Sequence, residues 1–269
     1  MPELPDLTVF AENLSKQVVR EKVVKVVWHE RGRLNVGADE LSGALVGSSI
    51  SEVERSGKET LFKMNNGNRL FVHLMLQGKF VLAPRQKTAS FPIMTLAFED
   101  GKTLTVQDPK AMVMISLNPS RDHEAPDALE LNPELLKRLI GVKPRMLAKA
   151  FLIDQKIVRG IGNAYADEIL WKAAISPRSV MGRLPEEAID ELVRAVHSVL
   201  NSAIEQLRRD HPAIIAGEIR DFLAVHNPSR KVSPTGHPIQ VETISSKKTY
   251  FTDEQVLYPE KAVKHGATE

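Results

Sequence analysis

Two tight-turn signals constrain this chain more than anything else in it. "LFKMNNGNRLFVHL" sets two apolar runs around Asn66-Gly67, and "IMTLAFEDGKTLTV" repeats the design around Asp100-Gly101. Asn-Gly and Asp-Gly supply the positive φ angles that a hairpin turn demands. The valine-rich "EKVVKVVW" adds a further strand. Before these, Pro5 and Asp6 read as a helix start, with Leu7, Phe10, Leu14 and Val18 on one helical face. Residues 1–117 therefore predict one helix and a mostly antiparallel β domain.

The period then changes. Residues 118–133 are polar, acidic and punctuated by proline, and read as a linker. From 134 to 225 the pattern is helical. It predicts short helices over 134–140 and 145–153, another from Asn163, a long one opened by Pro185, and a short one over about 213–223. Residues 226–259 return to strand character with a turn at "SPTGHP", and 260–269 read as a frayed tail. The fold class expected is α+β.

The composition excludes several chemistries. The chain has no cysteine, so disulfides, thiolate nucleophiles and cysteine-ligated zinc are ruled out. No pair of its eight histidines stands at ligand spacing near a carboxylate cluster, and no metal or cofactor is expected. No apolar stretch has the length of a membrane span and no secretory signal opens the chain, which predicts a cytoplasmic protein. Net charge is only +2, but basic residues concentrate in 143–172 and 226–250. Either these are solvated surface or they meet as one phosphate-binding face.

"DQKIVRGIGNAYADEILW" is the most specific stretch. Gly160 and Gly162 permit a tight turn, and Asn163 stands where a helix begins. Alone, this is better explained by a capped helical hairpin. Lys156 and Arg159 just upstream favour a phosphate ligand.

Taken in order, "PELPD", the lysine of "RSGKETLF", "HLMLQGKF", "DPK" and "LIDQKIVRGIGNAYADEILW" resemble the formamidopyrimidine-DNA glycosylase/endonuclease VIII family of base-excision repair enzymes. The similarity spans roughly residues 2–255. It implies an N-terminal helix and β-sandwich (1–117), a helix–two-turn–helix domain (134–225) and a β-hairpin finger (226–259). It implies a monomeric, bifunctional DNA glycosylase and abasic-site lyase whose partner is double-stranded DNA with damaged bases or abasic sites.

The residues take their implied roles from this resemblance. Once Met1 is removed, Pro2 carries a free secondary amine with a pKa of about 8, nucleophilic near neutral pH. By resemblance Pro2 attacks C1′ of the damaged nucleotide, and the resulting iminium drives strand cleavage by elimination. Glu3 is the general acid/base. Asp6, where the family usually has glutamate, is either a helix cap or a proton relay. Lys58 grips a phosphate beside the lesion, and Lys156, Asn163, Lys247 and Lys248 hold further phosphates. The target base must be flipped out of the stack. Met75, Leu76 and Gln77, with Met112, fill the space it leaves, Leu76 as the intercalating wedge.

Three departures from the family pattern stand out. Ala111 and Met112 replace an arginine and a phenylalanine. Val232, Thr235, Thr252 and Gln255 stand near the four zinc-binding cysteines, so the finger is of the zincless kind. The stretch leading into the finger lacks the longer loop that closes over 8-oxoguanine. Oxidised pyrimidines, ring-opened purines or abasic sites are therefore the expected substrates. The alternative is a non-catalytic damaged-DNA-binding protein of the same fold. A different N-terminal-proline enzyme, such as a tautomerase, leaves the last two domains unexplained.

Overall fold

In the computed structural model, residues 1–84, 89–121 and 124–260 are described; most of the expected tail, from 261 on, lies outside them. The chain forms two compact units, residues 1–124 with 201–219, and residues 125–200 with 220–269. The sequence groups 134–225 together, whereas 201–219 cluster with the first unit.

The first unit opens with α1 (Leu4–Val18). Its strands are β1 (Val23–Trp28), β2 (Arg33–Leu34), β3 (Ile50–Ser56), β4 (Glu59–Met64), β5 (Arg69–His73), β6 (Lys79–Pro84), β7 (Pro92–Phe98), β8 (Lys102–Gln107) and β9 (Met114–Leu117). They form a four-stranded sheet in the order β1-β7-β8-β6 and a five-stranded sheet in the order β2-β9-β5-β4-β3. All pairings are antiparallel except β2 with β9. The alternating side chains of both sheets and one face of α1 close a single core. Leu7, Phe10, Leu14, Phe62, Phe80, Leu96 and Ile115 are all buried in it.

Both turn signals work as their chemistry requires. Gly67 and Gly101 have φ of 87° and 85°, and each donates its N–H back across its turn, to Met64 and Phe98. A third hairpin joins β3 to β4. Ser56 pairs with Glu59, leaving Gly57-Lys58 as its two-residue turn.

α2 (Ala38–Leu45) was not expected from the sequence. Its signal is faint: Gly37 caps it, Asp39 and Glu40 favour its N-terminal dipole, and only Leu41 and Leu45, one turn apart, are buried. The helix expected over 213–223 is absent; the segment is a run of turns. Pro212 and Gly217 (φ 95°) interrupt it. Ile214 and Ile215 instead pack on the first unit's core, where Asn13 Nδ2 donates to the Ile214 carbonyl at 2.9 Å.

The second unit contains α3 (Pro133–Val142), α4 (Ala148–Ile153), α5 (Asn163–Lys172), the hairpin β10 (Gln240–Ile244) and β11 (Lys247–Phe251), and the first part of α6 (Glu186–Asp210). The second half of the expected linker is structured. A 3-10 turn at Ala128–Glu130 is capped by Asp127, and Ala128 and Leu131 are buried. Among the described residues no helix is long and apolar enough to cross a membrane.

Candidate active site and nucleic-acid interface

The N-terminal residues are held by a reciprocal capping box. Glu3 is the N-cap of α1, and Asp6, at the third helical position, accepts the Glu3 N–H at 2.8 Å. Asp6 is thus part of a cap, the third residue of a helix that begins at Leu4, one residue before the Pro5 start that the sequence suggested. Pro2 is buried, and Glu3 and Asp6 are 4% and 1% exposed. Thr8, on the same helix, accepts from Arg55 Nε at 3.0 Å, and Arg55 Nη1 donates to the Gly57 carbonyl at 3.1 Å. This ties the start of α1 to the hairpin tip that carries Lys58.

Pro2 lines a cleft of about 200 Å³ with Leu76, Gln77, Gly78, Lys79, Gly217 and Glu218. Glu218 also forms an ion pair with the terminal ammonium of Met1. Sequence reasoning missed Gly217 and Glu218, because it read their segment as helix.

The loop 74–78 is tightly built. Gly78 donates to the Leu74 carbonyl at 2.9 Å, and a Cβ at Gly78 would lie 2.2 Å from that oxygen. Met75 has φ 55° and donates its N–H to His73 Nδ1 at 3.0 Å. Leu76 and Gln77 are consequently turned outward, Leu76 being 53% exposed. His73 was also missed. Burial pushes its pKa down to about 4, and the charge of Lys58 pushes the same way. The ring is therefore neutral near neutral pH, and because Nδ1 accepts, its proton sits on Nε2. The structure thus brings Lys58, His73 and the Leu76 loop together.

Met112 lies in a second loop, ordered by the fully buried Asp108. Asp108 accepts the N–H groups of Lys110, Met112 and Val113 at 2.9, 2.6 and 3.1 Å. Val113 is the side chain a Cβ at Gly78 would meet, so the two loops abut.

In the second unit, Gly160 (φ 100°) turns the chain into α5, and Gln155 braces the turn by accepting from Gly160 and donating to the Ile153 and Ile161 carbonyls. Lys156 is exposed. Asn163 Nδ2 donates to the Lys248 carbonyl at 2.9 Å, which brings two expected phosphate ligands together. Lys247 and Lys248 are exposed beside the Ser245-Ser246 turn, and Lys248 Nζ lies 5.3 Å from the centre of the Tyr250 ring.

Asp167 and Glu168 hold this arrangement from beneath. Asp167 accepts from Lys149 Nζ at 2.6 Å and from the Tyr250 N–H at 3.1 Å, and it contacts His226 Nδ1 at 2.6 Å. Lys149 is completely buried, so this member of the basic segment 143–172 serves an internal ion pair. Glu168 accepts the N–H groups of Ala224, Val225 and His226. Burial raises its pKa, against the pull of those three donors.

The base of the hairpin is polar. Glu254 accepts from Thr252 Oγ1 at 2.9 Å, Ser233 Oγ at 3.3 Å and Trp171 Nε1 at 3.4 Å. Gln255 accepts the Thr252 N–H and donates to the Ile175 carbonyl. Among the described residues there is no group of three metal-ligating side chains.

The family model "Formamidopyrimidine-DNA glycosylase N-terminal domain" matches residues 1–115, and "Formamidopyrimidine-DNA glycosylase H2TH domain" matches residues 124–210. The formamidopyrimidine-DNA glycosylase of Syntrophotalea carbinolica is 33% identical over 280 residues, covering 93% of this chain and 98% of that one. Two structures of the Lactococcus lactis enzyme, one with DNA containing an abasic site and one with DNA containing an oxidised pyrimidine, match at 25% identity. Each has a TM-score of 0.83 and covers 93% of this chain and 98% of that one. Fold and matches together define a DNA glycosylase and abasic-site lyase. The chain belongs to the formamidopyrimidine-DNA glycosylase family.

Proposed function

We propose that this enzyme excises oxidised pyrimidines and ring-opened purines from double-stranded DNA, and processes abasic sites, through a Schiff base on Pro2. One observation carries the reading. Pro2 is sequestered in a cleft whose rim is the outward-turned Leu76 loop. That is the geometry for one nucleotide drawn out of a duplex to a terminal amine. The Lactococcus lactis complexes with abasic and oxidised-pyrimidine DNA support the same substrate class.

The chemistry follows from the side chains. With Met1 removed, the Pro2 nitrogen is a secondary amine and attacks C1′, expelling the base. Glu3, buried beside it, protonates the sugar and moves protons in the eliminations that follow. Asp6 fixes the Glu3 backbone through the capping box. Lys58 and the Nε2–H of neutral His73 donate to the phosphate next to the flipped nucleotide. In the second unit Lys156, Asn163, Lys247 and Lys248 take further phosphates. Asn163 spends one amide hydrogen on Lys248 and keeps a second for DNA. Leu76 intercalates, with Met75, Gln77 and Met112 supporting it. Residues 1–117 are the catalytic domain, 134–225 the helix–two-turn–helix domain and 226–259 a zincless finger. The protein works as a monomer on cytoplasmic, nucleoid-bound DNA.

A panel of duplexes tests this, each with one abasic site, oxidised pyrimidine or formamidopyrimidine. The reading expects strand cleavage at the lesion by the wild-type enzyme, and excision lost with binding kept in Glu3→Gln. Intact strands throughout would overturn it.

A further inference from the structure

Phe91 is 52% exposed, and its backbone has φ 50°, a strained conformation for a bulky side chain. The Arg31 guanidinium stands over the ring, 5.5 Å from its centre. Arg31 Nη2 also donates to the Pro109 carbonyl at 3.2 Å, and the Phe91 carbonyl accepts the Asp108 N–H at 3.0 Å. A charged and an aromatic group are thus fastened to the loop where Ala111 and Met112 offer neither charge nor ring.

Sheet register locates the pair. Pro92 on β7 and Lys79 on β6 both pair with Gln107 on β8. Phe91, Asp108 and Gly78, one residue beyond each, therefore share one end of the four-stranded sheet. Two strand spacings separate Phe91 from Gly78, about 10 Å. Gly78 closes the Leu76 loop and lines the Pro2 cleft. Arg33, two residues from Arg31, and Lys110, next to the Pro109 that Arg31 contacts, are both exposed, and Glu30 is the neighbouring acid. One exposed phenylalanine is ordinary. One held in a strained backbone, with a guanidinium on its ring and cations around it, fits nucleic acid, whose bases stack on aromatic rings while phosphates pair with arginine.

We propose that Arg31 and Phe91 form a further DNA contact, in which the Phe91 ring stacks on a base within about three base pairs of the flipped nucleotide and Arg31 pairs with a flanking phosphate. The inference rests on the proposed entry of the Leu76 loop into the duplex at the lesion.

Binding to a duplex bearing a tetrahydrofuran abasic analogue, measured across a salt series, tests it. Phe91→Ala should weaken binding on the order of tenfold without changing the salt slope. Phe91→Leu, which keeps an apolar side chain, should lose most of the same affinity. Arg31→Ala should lower the slope by about one. Wild-type affinity and slope in all three, with Lys247→Ala still weakened, would overturn this contact and leave the proposed function standing. A wild-type protein with no preference for the analogue over undamaged duplex would overturn both.

Discussion

Asn163 and Lys248 lie 85 positions apart, and the Asn163 amide nitrogen donates to the Lys248 carbonyl at 2.9 Å. The start of α5 and the tip strand of the hairpin are therefore one structure. With the proposed phosphate role of Lys247, Lys247→Ala should weaken DNA binding and lower the salt slope by about one. Asn163→Ala should raise amide exchange in β11, read by hydrogen–deuterium exchange, while Lys247→Ala should not. Equal exchange in both variants would contradict the link.

Asp167 and Lys149 form a fully buried ion pair. Removing one partner strands the other charge in the interior. Asp167→Ala should cost about 3–5 kcal/mol in denaturant unfolding, and the double change Lys149→Met with Asp167→Leu should cost less than Asp167→Ala alone. A double variant as unstable as the single one would show that the lost contacts of Asp167 with Tyr250 and His226, not the stranded lysine charge, set the cost.

His73 should titrate at about 4, not near its ordinary 6.5, in an NMR titration, with its proton on Nε2 at neutral pH. The folded protein then binds fewer protons than the unfolded chain between these values. Its contribution to stability is complete above pH 6.5 and is lost as pH falls toward 4. Lys58→Ala should move the His73 value part of the way back up, because part of the depression is charge repulsion.

Gly78 has no room for a methyl group, with the Leu74 carbonyl 2.2 Å from where one would stand. Gly78→Ala should destabilise the protein by about 1–3 kcal/mol and displace Leu76. Its unfolding midpoint and its cleavage rate should fall together. A variant as stable and active as wild type would mean the loop adapts freely.

Much of this was legible in the sequence, for identifiable reasons. Asn66-Gly67 and Asp100-Gly101 encode hairpins locally, so the β domain could be read from short stretches. α1 and α6 carry long apolar faces. The segment 213–223 reads as helix because its apolar run mimics one, while Ile214 and Ile215 bind the core without one. Glu218 was lost with it. His73 carries no local signal at all, since only the β5 end and Lys58 give it its character. At the finger, the absence of cysteine was plain, but Glu254 gathers its hydrogen bonds from as far as Trp171, 83 positions away. Lys149 falls in the basic segment 143–172, which reads as solvated surface or a phosphate-binding face, and only its partner Asp167 reveals it as interior.

The central claim is that the Pro2 amine is the nucleophile. The most direct measurement is borohydride trapping on abasic-site DNA, using protein whose N-terminus has been verified by mass, followed by peptide mapping. The account predicts a covalent adduct on Pro2 and none after N-terminal acetylation. An adduct mapping to a lysine, or an acetylated protein that still traps, would contradict it.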